Sequence, residues 1–327
     1  MSSRPAIVVL GTGGTIAGVA PSAHDNLGYQ AAQQSVATLL QALGPGGVPT
    51  GMTLLAEQVA QIDSKDMDFP IWQALAQRCQ HYLQQPQVQG MVITHGTDTL
   101  EESAWFLHLA LAAHKPVVLT CAMRPATALF ADGPQNLRDA LAVAAHAGAQ
   151  GVVAVCAGTL HSAQRVQKVH PYRLDAFDSG DAGPLGWVEE GQIRLAQPWP
   201  LAAPTSPQHL AQVLQPNTAW PRVEIIFSHA GASAATVDAL VASGVQGLVV
   251  AATGNGSVHQ ALLPALERAQ TAGVALLIAS RCPWGALVCH PKQPPPWPWA
   301  LGLSPIKARI SLLWQLLCQQ ANKNAPP

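Results

Sequence analysis

Gly11-Thr12-Gly13-Gly14-Thr15-Ile16-Ala17-Gly18 decides the reading of this chain, because the apolar, β-branched run Ala6-Ile7-Val8-Val9-Leu10 leads straight into it. Such a run predicts a buried strand that ends at Leu10, followed by a glycine-rich turn. Glycines in that turn let the backbone take positive φ and come close to a small ligand. Two threonine hydroxyls sit inside it, and Thr15 is the candidate nucleophile. A dinucleotide-binding turn begins in a similar way. Its G-x-G-x-x-G pattern, however, puts the third glycine where Ile16 stands. It also expects an acidic residue ending a second strand about 20 residues on, and Asp25 falls instead in a polar, loop-like stretch. On this segment alone a threonine-centred site, a nucleotide loop and a structural turn all stay open.

The 327 residues suggest two domains at roughly 150 residues each. Hydrophobic residues make up 49% of the chain and charged ones 11%, so a large core can be buried and disorder is disfavoured. The net charge is −1, with no basic run and no acidic tail, which argues against nucleic acid and points to small molecules and copies of itself as partners. Ala6 to Leu10 is too short for a signal-peptide core, and no apolar stretch reaches the roughly 18–20 residues of a membrane span. The six cysteines are scattered without a C-x-x-C pair, and Cys156 and Cys318 lie in apolar runs as reduced core residues. A cytoplasmic protein without a disulfide framework is expected.

Outward from the turn, short apolar strands alternate with amphipathic helices. Helical spacing runs from Ala31 to Leu43, from Ile71 to Leu83, from Ala104 to Ala113 and from Asn136 to Ala147. Strands are predicted at Gly90–Thr94, Pro116–Leu119 and Gly151–Val155. Thr99-Leu100-Glu101-Glu102 has capping-box spacing, with Thr99 at the N-cap and Glu102 at N3. The alternation predicts an α/β fold with a parallel sheet covered on both faces. Polar motifs follow two of the strands, so they are expected to meet in one crevice at the strands' carboxyl ends. Residues 197–222 are proline-rich and read as a linker, with a short helix over Gln208–Leu214. The boundaries are therefore an N-terminal domain over 1–196, the linker over 197–222 and a smaller C-terminal α/β domain over 223–327. In the last, strands are predicted at Val223–Phe227, Gly247–Ala251 and Val274–Ile278. Helices are predicted at Ala235–Ala242, Gln260–Ala272 and Pro305–Gln320. The Pro/Trp stretch Lys292 to Trp299 reads as a stiff surface or interface loop.

A threonine hydroxyl needs a base or a donor network before it can attack. Thr15 and Thr97 both follow strands, and Asp98 follows Thr97 directly. Of the six lysines, Lys168 is the best placed to serve as that base, behind a buried strand. It does so only if its surroundings leave it neutral. His95 reads as a hydrogen-bonded turn residue. The twelve histidines show no metal-ligand spacing, and neither H-E-x-x-H nor G-x-S-x-G nor a phosphate-binding glycine loop occurs.

Thr12 to Gly18, together with Ile93-Thr94-His95-Gly96-Thr97-Asp98-Thr99-Leu100-Glu101-Glu102, resembles the two signatures of bacterial-type L-asparaginases. The resemblance runs on through Ser64-Lys65-Asp66-Met67, Cys121-Ala122-Met123-Arg124-Pro125, Ala131-Asp132-Gly133-Pro134, Gly183-Pro184-Leu185-Gly186 and Gly254-Asn255-Gly256. It implies a two-domain amidohydrolase that hydrolyses L-asparagine to L-aspartate and ammonia, with glutamine as a slower substrate and without metal or cofactor. It also implies a homotetramer built as a pair of dimers, with each site closed by the neighbouring subunit. On the same footing Thr15 matches the nucleophile, and Tyr29 matches the flap tyrosine that hydrogen-bonds it. Thr97, Asp98 and Lys168 match a second triad. Substrate contacts are implied at Gly14, Ser64, Lys65, Asp66, Gly96, Thr97 and Asp98, with backbone N–H groups near Thr15 and Thr97 as the oxyanion hole.

Three departures stand out. Lys65 replaces a glutamine found in many secreted-type relatives, Ser228-His229-Ala230-Gly231 replaces an asparagine-bearing segment, and Gln293–Trp299 replaces a longer segment that carries a glutamate. Two further functions compete: a non-catalytic amino-acid-binding or sensory protein of the same fold, and an ammonia-releasing amidotransferase subunit. The latter is expected to carry an extra domain ahead of the first catalytic turn.

Overall fold

The computed structural model describes residues 4–202, 210–211, 213–292 and 295–324. The chain divides into two compact units, residues 1–205 and 206–327.

In the first unit β1 (Ala6–Gly13), β2 (Thr53–Ile62), β3 (Val88–Thr94), β4 (Pro116–Thr120) and β5 (Gly151–Cys156) form a parallel sheet in the order β2-β1-β3-β4-β5. Four helices accompany it: α1 (Val36–Ala42), α2 (Phe69–Leu83), α3 (Leu100–Ala110) and α4 (Gly133–Ala145). Successive strand residues point to opposite faces. Ile7, Val9, Val92, Val118, Val153 and Val155 pack with Val36 and Leu39 of α1 and with Leu137 and Leu141 of α4. The alternate residues Val8, Leu10, Met91, Ile93, Val117 and Leu119 are equally buried. They face the side of α2 and α3, where Trp72 stacks on Phe106 with ring centroids 5.0 Å apart. Burial on both faces explains why these strands read as continuous apolar runs.

The structure extends the expected parallel sheet. Beyond β5 it continues antiparallel through β6 (Thr159–Ser162), and two small strands, β7 (Gln167–Lys168) and β8 (Phe177–Asp178), pair with each other beside it. β9 (Gly186–Glu189) and β10 (Gln192–Leu195) then complete the eight-stranded sheet. β1 also runs past Leu10, because β2 and β3 go on pairing with it at Gly11 and β2 again at Gly13. Positive φ begins at Gly13 (100°) and Gly14 (80°). α1 is shorter than its periodicity suggests and starts where the Ser35 side chain accepts the Thr38 N–H. The capping box at Thr99 does not form; the Thr99 hydroxyl donates to the Ser64 carbonyl instead, at 2.8 Å.

The second unit holds a three-stranded parallel sheet, β11 (Val223–Phe227), β12 (Gly247–Ala252) and β13 (Ala275–Ser280). Among the described residues its longer helices are α5 (Ala235–Ala242), α6 (Leu263–Thr271) and α7 (Pro305–Asn324). Val237, Leu248, Val250, Leu266, Ile278 and Trp297 share its core. Trp297 donates to Gln270 Oε1 at 3.0 Å and Trp299 bridges to Ile278, so this part of the Pro/Trp stretch packs onto its own unit. Gln293 and Pro294 lie outside the described residues, as do Gln208, His209 and Gln212 of the expected short helix. All six cysteines are free thiols, with Cys156 buried and Cys318 half-buried.

Candidate active site

In the parallel part of the sheet the strand order reverses direction between β1 and β3. Ligands of open α/β sheets bind at such a switch point, beyond the carboxyl ends of the strands. Here a cavity of about 150 Å³ opens, lined by residues that follow four different strands. Thr15 follows β1, Asp63 and Ser64 follow β2, Thr97 and Asp98 follow β3, and Met123 follows β4. Lys168 of β7 completes the polar set, with Pro171 and Tyr172 beyond it and Asn26, Leu27 and Tyr29 on the opposite loop.

The backbone packing behind the cavity depends on glycine. Gly14 has φ 80°, and a Cβ there would lie 2.3 Å from Gly96 Cα. A Cβ on Gly96 would in turn lie 2.4 Å from Ser64 Oγ. The two turns therefore touch backbone to backbone, which fixes Thr15 and Thr97 at one site. Thr12 serves the same junction, since its buried hydroxyl donates to the Thr94 carbonyl at 2.9 Å and ties β1 to β3.

Two hydroxyl clusters face the cavity. Thr15 Oγ1 lies 2.7 Å from Tyr29 Oη. Tyr29 comes from a loop closed at its base by the Val19–Gln30 bridge and folded inside by Asp25, whose Oδ1 accepts the N–H groups of Leu27 and Gly28. These two bonds, with Gly28 first, hold the Asp25 carboxyl below its usual pKa. In the second cluster Lys168 Nζ donates to Thr97 Oγ1 at 2.8 Å and to Asp98 Oδ1 at 2.6 Å. Thr97 Oγ1 sits 3.5 Å from the same carboxylate oxygen. Ser64 Oγ accepts the Asp98 N–H at 3.2 Å, so its own proton stays available.

His95 supports the second cluster from behind. The Gly96 carbonyl 2.7 Å from Nδ1 can only accept, so Nδ1 carries the proton. Nε2 then accepts the Ser103 hydroxyl at 2.8 Å, and Ser103 accepts the Trp72 indole N–H at 2.8 Å. Burial pushes the His95 pKa down to about 4, so the ring is neutral at pH 7 and packs as a turn residue.

The structure thus brings Thr15, Tyr29, Ser64, Thr97, Asp98 and Lys168 to one cavity, with the Gly14 and Gly96 backbones pressed behind it. Lys65 and Asp66 do not line it. They are exposed and pair with each other, and this hydrogen bond, with charges of Asp66, Asp63 and Asp98 adding to it, raises the Lys65 pKa. The short 3₁₀ turn Ser64–Asp66 aims its successive side chains in different directions, which separates Ser64 from its neighbours. Sequence reasoning missed Asp63, Asn26, Leu27, Met123, Pro171 and Tyr172 as lining residues. Asp63 directly precedes Ser64 and Met123 lies inside the Cys121–Pro125 stretch, so those two carried a signal. Tyr172 is held in the wall by Arg124, which donates to its carbonyl at 3.0 Å and lies 4.2 Å over its ring. Among the described residues no group of three or more His, Cys, Asp or Glu side chains could hold a metal ion.

Fold and site define a class: α/β proteins that present two threonine hydroxyls, one beside a phenol and one beside a lysine–aspartate pair, at the switch point of the sheet. The asparaginase N-terminal domain family model matches residues 6–201, and the glutaminase/asparaginase C-terminal domain model matches residues 222–325. This chain belongs to the asparaginase family. It is 37% identical over 286 residues to L-asparaginase 2 of Escherichia coli (strain K12), covering 86% of this chain and 79% of that one. It is 35% identical over 326 residues to the glutaminase-asparaginase of Pseudomonas fluorescens biotype A, covering 97% and 88%. The crystal structure of a probable cytoplasmic L-asparaginase from Campylobacter jejuni is similar with a TM-score of 0.86 and 33% identity, over 98% of both chains.

Proposed function

We propose that this protein hydrolyses L-asparagine to L-aspartate and ammonia through an acyl-enzyme on Thr15, with L-glutamine as a minor substrate. The observation that carries the reading is the meeting of the Thr15–Tyr29 pair and the Thr97–Asp98–Lys168 cluster around one small cavity, in a chain of this family.

Thr15 Oγ1 attacks the carboxamide carbon while its proton leaves through Tyr29. Backbone N–H groups near Thr15 and Thr97 are the donors assigned to the developing oxyanion. The C–N bond then breaks and ammonia departs with the proton. Water held by Thr97 adds to the ester carbon as its proton passes along the Thr97 hydroxyl to Lys168, which takes it only in its neutral amine form and returns it as the Thr15 ester breaks. Cleavage of the Thr15 ester releases aspartate and restores the hydroxyl. Lys168 is held between Thr97 and Asp98, a geometry that suits proton transfer in either direction. Asp98 receives the substrate ammonium and the Ser64 hydroxyl its carboxylate. Lys65 and Asp66 reach the substrate only by exchanging their mutual ion pair for it.

The same reading makes residues 1–196 the catalytic domain, 197–222 a linker and 223–327 a C-terminal domain. It takes the assembly as a tetramer of paired dimers and the location as cytoplasmic. Among the described residues no helix is long and apolar enough to cross a membrane. The test is ammonia release from asparagine and glutamine across a concentration series, with Thr15→Ala expected to abolish it. Undiminished release by Thr15→Ala would refute the acyl-enzyme. Light scattering tests the assembly.

A further inference from the structure

Glu101 is a buried carboxylate that the chemistry above does not use. Its residue is 6% exposed and lies in the first turn of α3. It does not cap that helix, because the N-cap residue is Thr99 and the Thr99 hydroxyl is committed to Ser64. Burying a carboxylate is costly unless hydrogen bonds compensate it. The N-terminal end of a helix offsets part of that cost.

Glu101 Oε1 accepts the backbone N–H of Lys168 at 3.3 Å. That lysine sits on a strand of only two residues, which pairs with β8 through Gln167–Asp178 and Lys168–Phe177 and is followed by the Val169 N–H donating to the Ala176 carbonyl. A two-residue strand fixes its side chains poorly by itself. The beginning of α3 therefore grips Lys168 at both ends. Thr97 and Asp98, just ahead of the helix, hold Nζ, while Glu101, the second residue of the helix, holds the backbone N.

We infer that Glu101 is a positioning residue that sets the register of Lys168 against Thr97 by accepting its backbone N–H. The inference rests on the reading in which Lys168 activates Thr97. Its action runs through the acceptor oxygen at the Oε1 position and through no proton transfer of its own. When Lys168 is displaced Asp98 loses one partner, but its backbone N–H stays on Ser64 Oγ, so the substrate contacts of Ser64 and Asp98 persist and turnover suffers more than binding. Misplacement of a catalytic group by about 1 Å costs on the order of 100-fold in rate.

The experiment is steady-state ammonia release by the full-length protein carrying Glu101→Gln, Glu101→Leu or Glu101→Asp, alone and with Lys168→Ala. Gln keeps the acceptor, Leu removes it at similar size, and Asp draws it back by one methylene. Glu101→Leu is expected to lower kcat about 10- to 100-fold with KM within about twofold, and Glu101→Gln to keep at least about half of kcat. In the Lys168→Ala background Glu101→Leu should have no further effect, the signature of action through that lysine. A folded Glu101→Leu protein with native kcat overturns the inference. So does a Glu101→Gln protein as impaired as Glu101→Leu, or a rise in KM in place of the fall in kcat. If Glu101→Leu does not fold, Glu101→Asp decides by the same criteria. Full activity in Lys168→Ala alone would sink the underlying reading of Lys168. Loss there with native kcat in both Glu101→Leu and Glu101→Asp would sink only the positioning role.

Discussion

Acidification should destabilise this fold through one histidine, by an amount that follows from its surroundings. His95 is fully buried, and burial lowers its pKa from 6.5 to about 4, partly offset by the bond to the Gly96 carbonyl. Each pKa unit corresponds to about 1.36 kcal/mol. In the unfolded chain the imidazole takes up a proton as the pH falls below 6.5, whereas the folded protein refuses it until about 4. Stability is therefore complete above pH 6.5 and drains away through that window, reaching a loss of about 3 kcal/mol near pH 4. The perturbation is His95→Gln, which removes the titrating ring. The assay is urea unfolding of both proteins from about pH 7 to about pH 4, compared at equal m-value. The variant should start less stable at neutral pH and lose about 3 kcal/mol less on acidification. His108, lowered by burial, acts in the same direction, and Asp139, raised chiefly by burial, acts in the opposite one. Both are common to the two proteins and cancel in the difference. Parallel acid slopes for the native protein and the variant would refute the reasoning.

Thr12→Val removes the buried bond to Thr94 and should cost about 1–2 kcal/mol while ammonia release persists; loss of turnover without loss of fold would move Thr12 into the chemistry. Gly14→Ala combines positive φ with a Cβ pressed into Gly96, and should lower stability by roughly 2 kcal/mol or more in the same urea assay. Tyr29→Phe keeps the ring but removes the partner of Thr15, so kcat should fall about 100-fold with the melting temperature unchanged. Exposed Cys282 and Cys289 should react quickly with a thiol reagent. Cys79, whose thiol burial pushes up to about 12, and Cys121, raised first by its contact with Cys156, should stay silent until unfolding.

How much was legible in the sequence depended on burial. β1, β3, β4 and β5 are covered on both faces, so each appears as an unbroken apolar run between turn residues. β2 escaped because it is the edge strand and none of its residues is fully buried, leaving no clean alternation in Thr53–Ile62. β6, β9 and β10 are only four residues long, too short for a periodic signal. Thr15, Thr97 and Asp98 could be picked out because they directly follow strands. Lys168 could not be joined to them by spacing, since 71 residues separate it from Thr97 and only the fold closes that distance. Lys65 shows the converse: adjacency to Ser64 in the chain did not carry it into the cavity.

The Thr12 hydroxyl finds its acceptor 82 residues further along, and Lys168 meets Thr97 across 71. Each of these closures costs chain entropy before any contact repays it. A polypeptide leaving the ribosome therefore presents Thr15 early, without the crevice that would use it. That crevice is assembled only after β3 has been added beside β1 and the chain has grown past Lys168. Half of the sequence must exist before Thr15 has a complete site to act in.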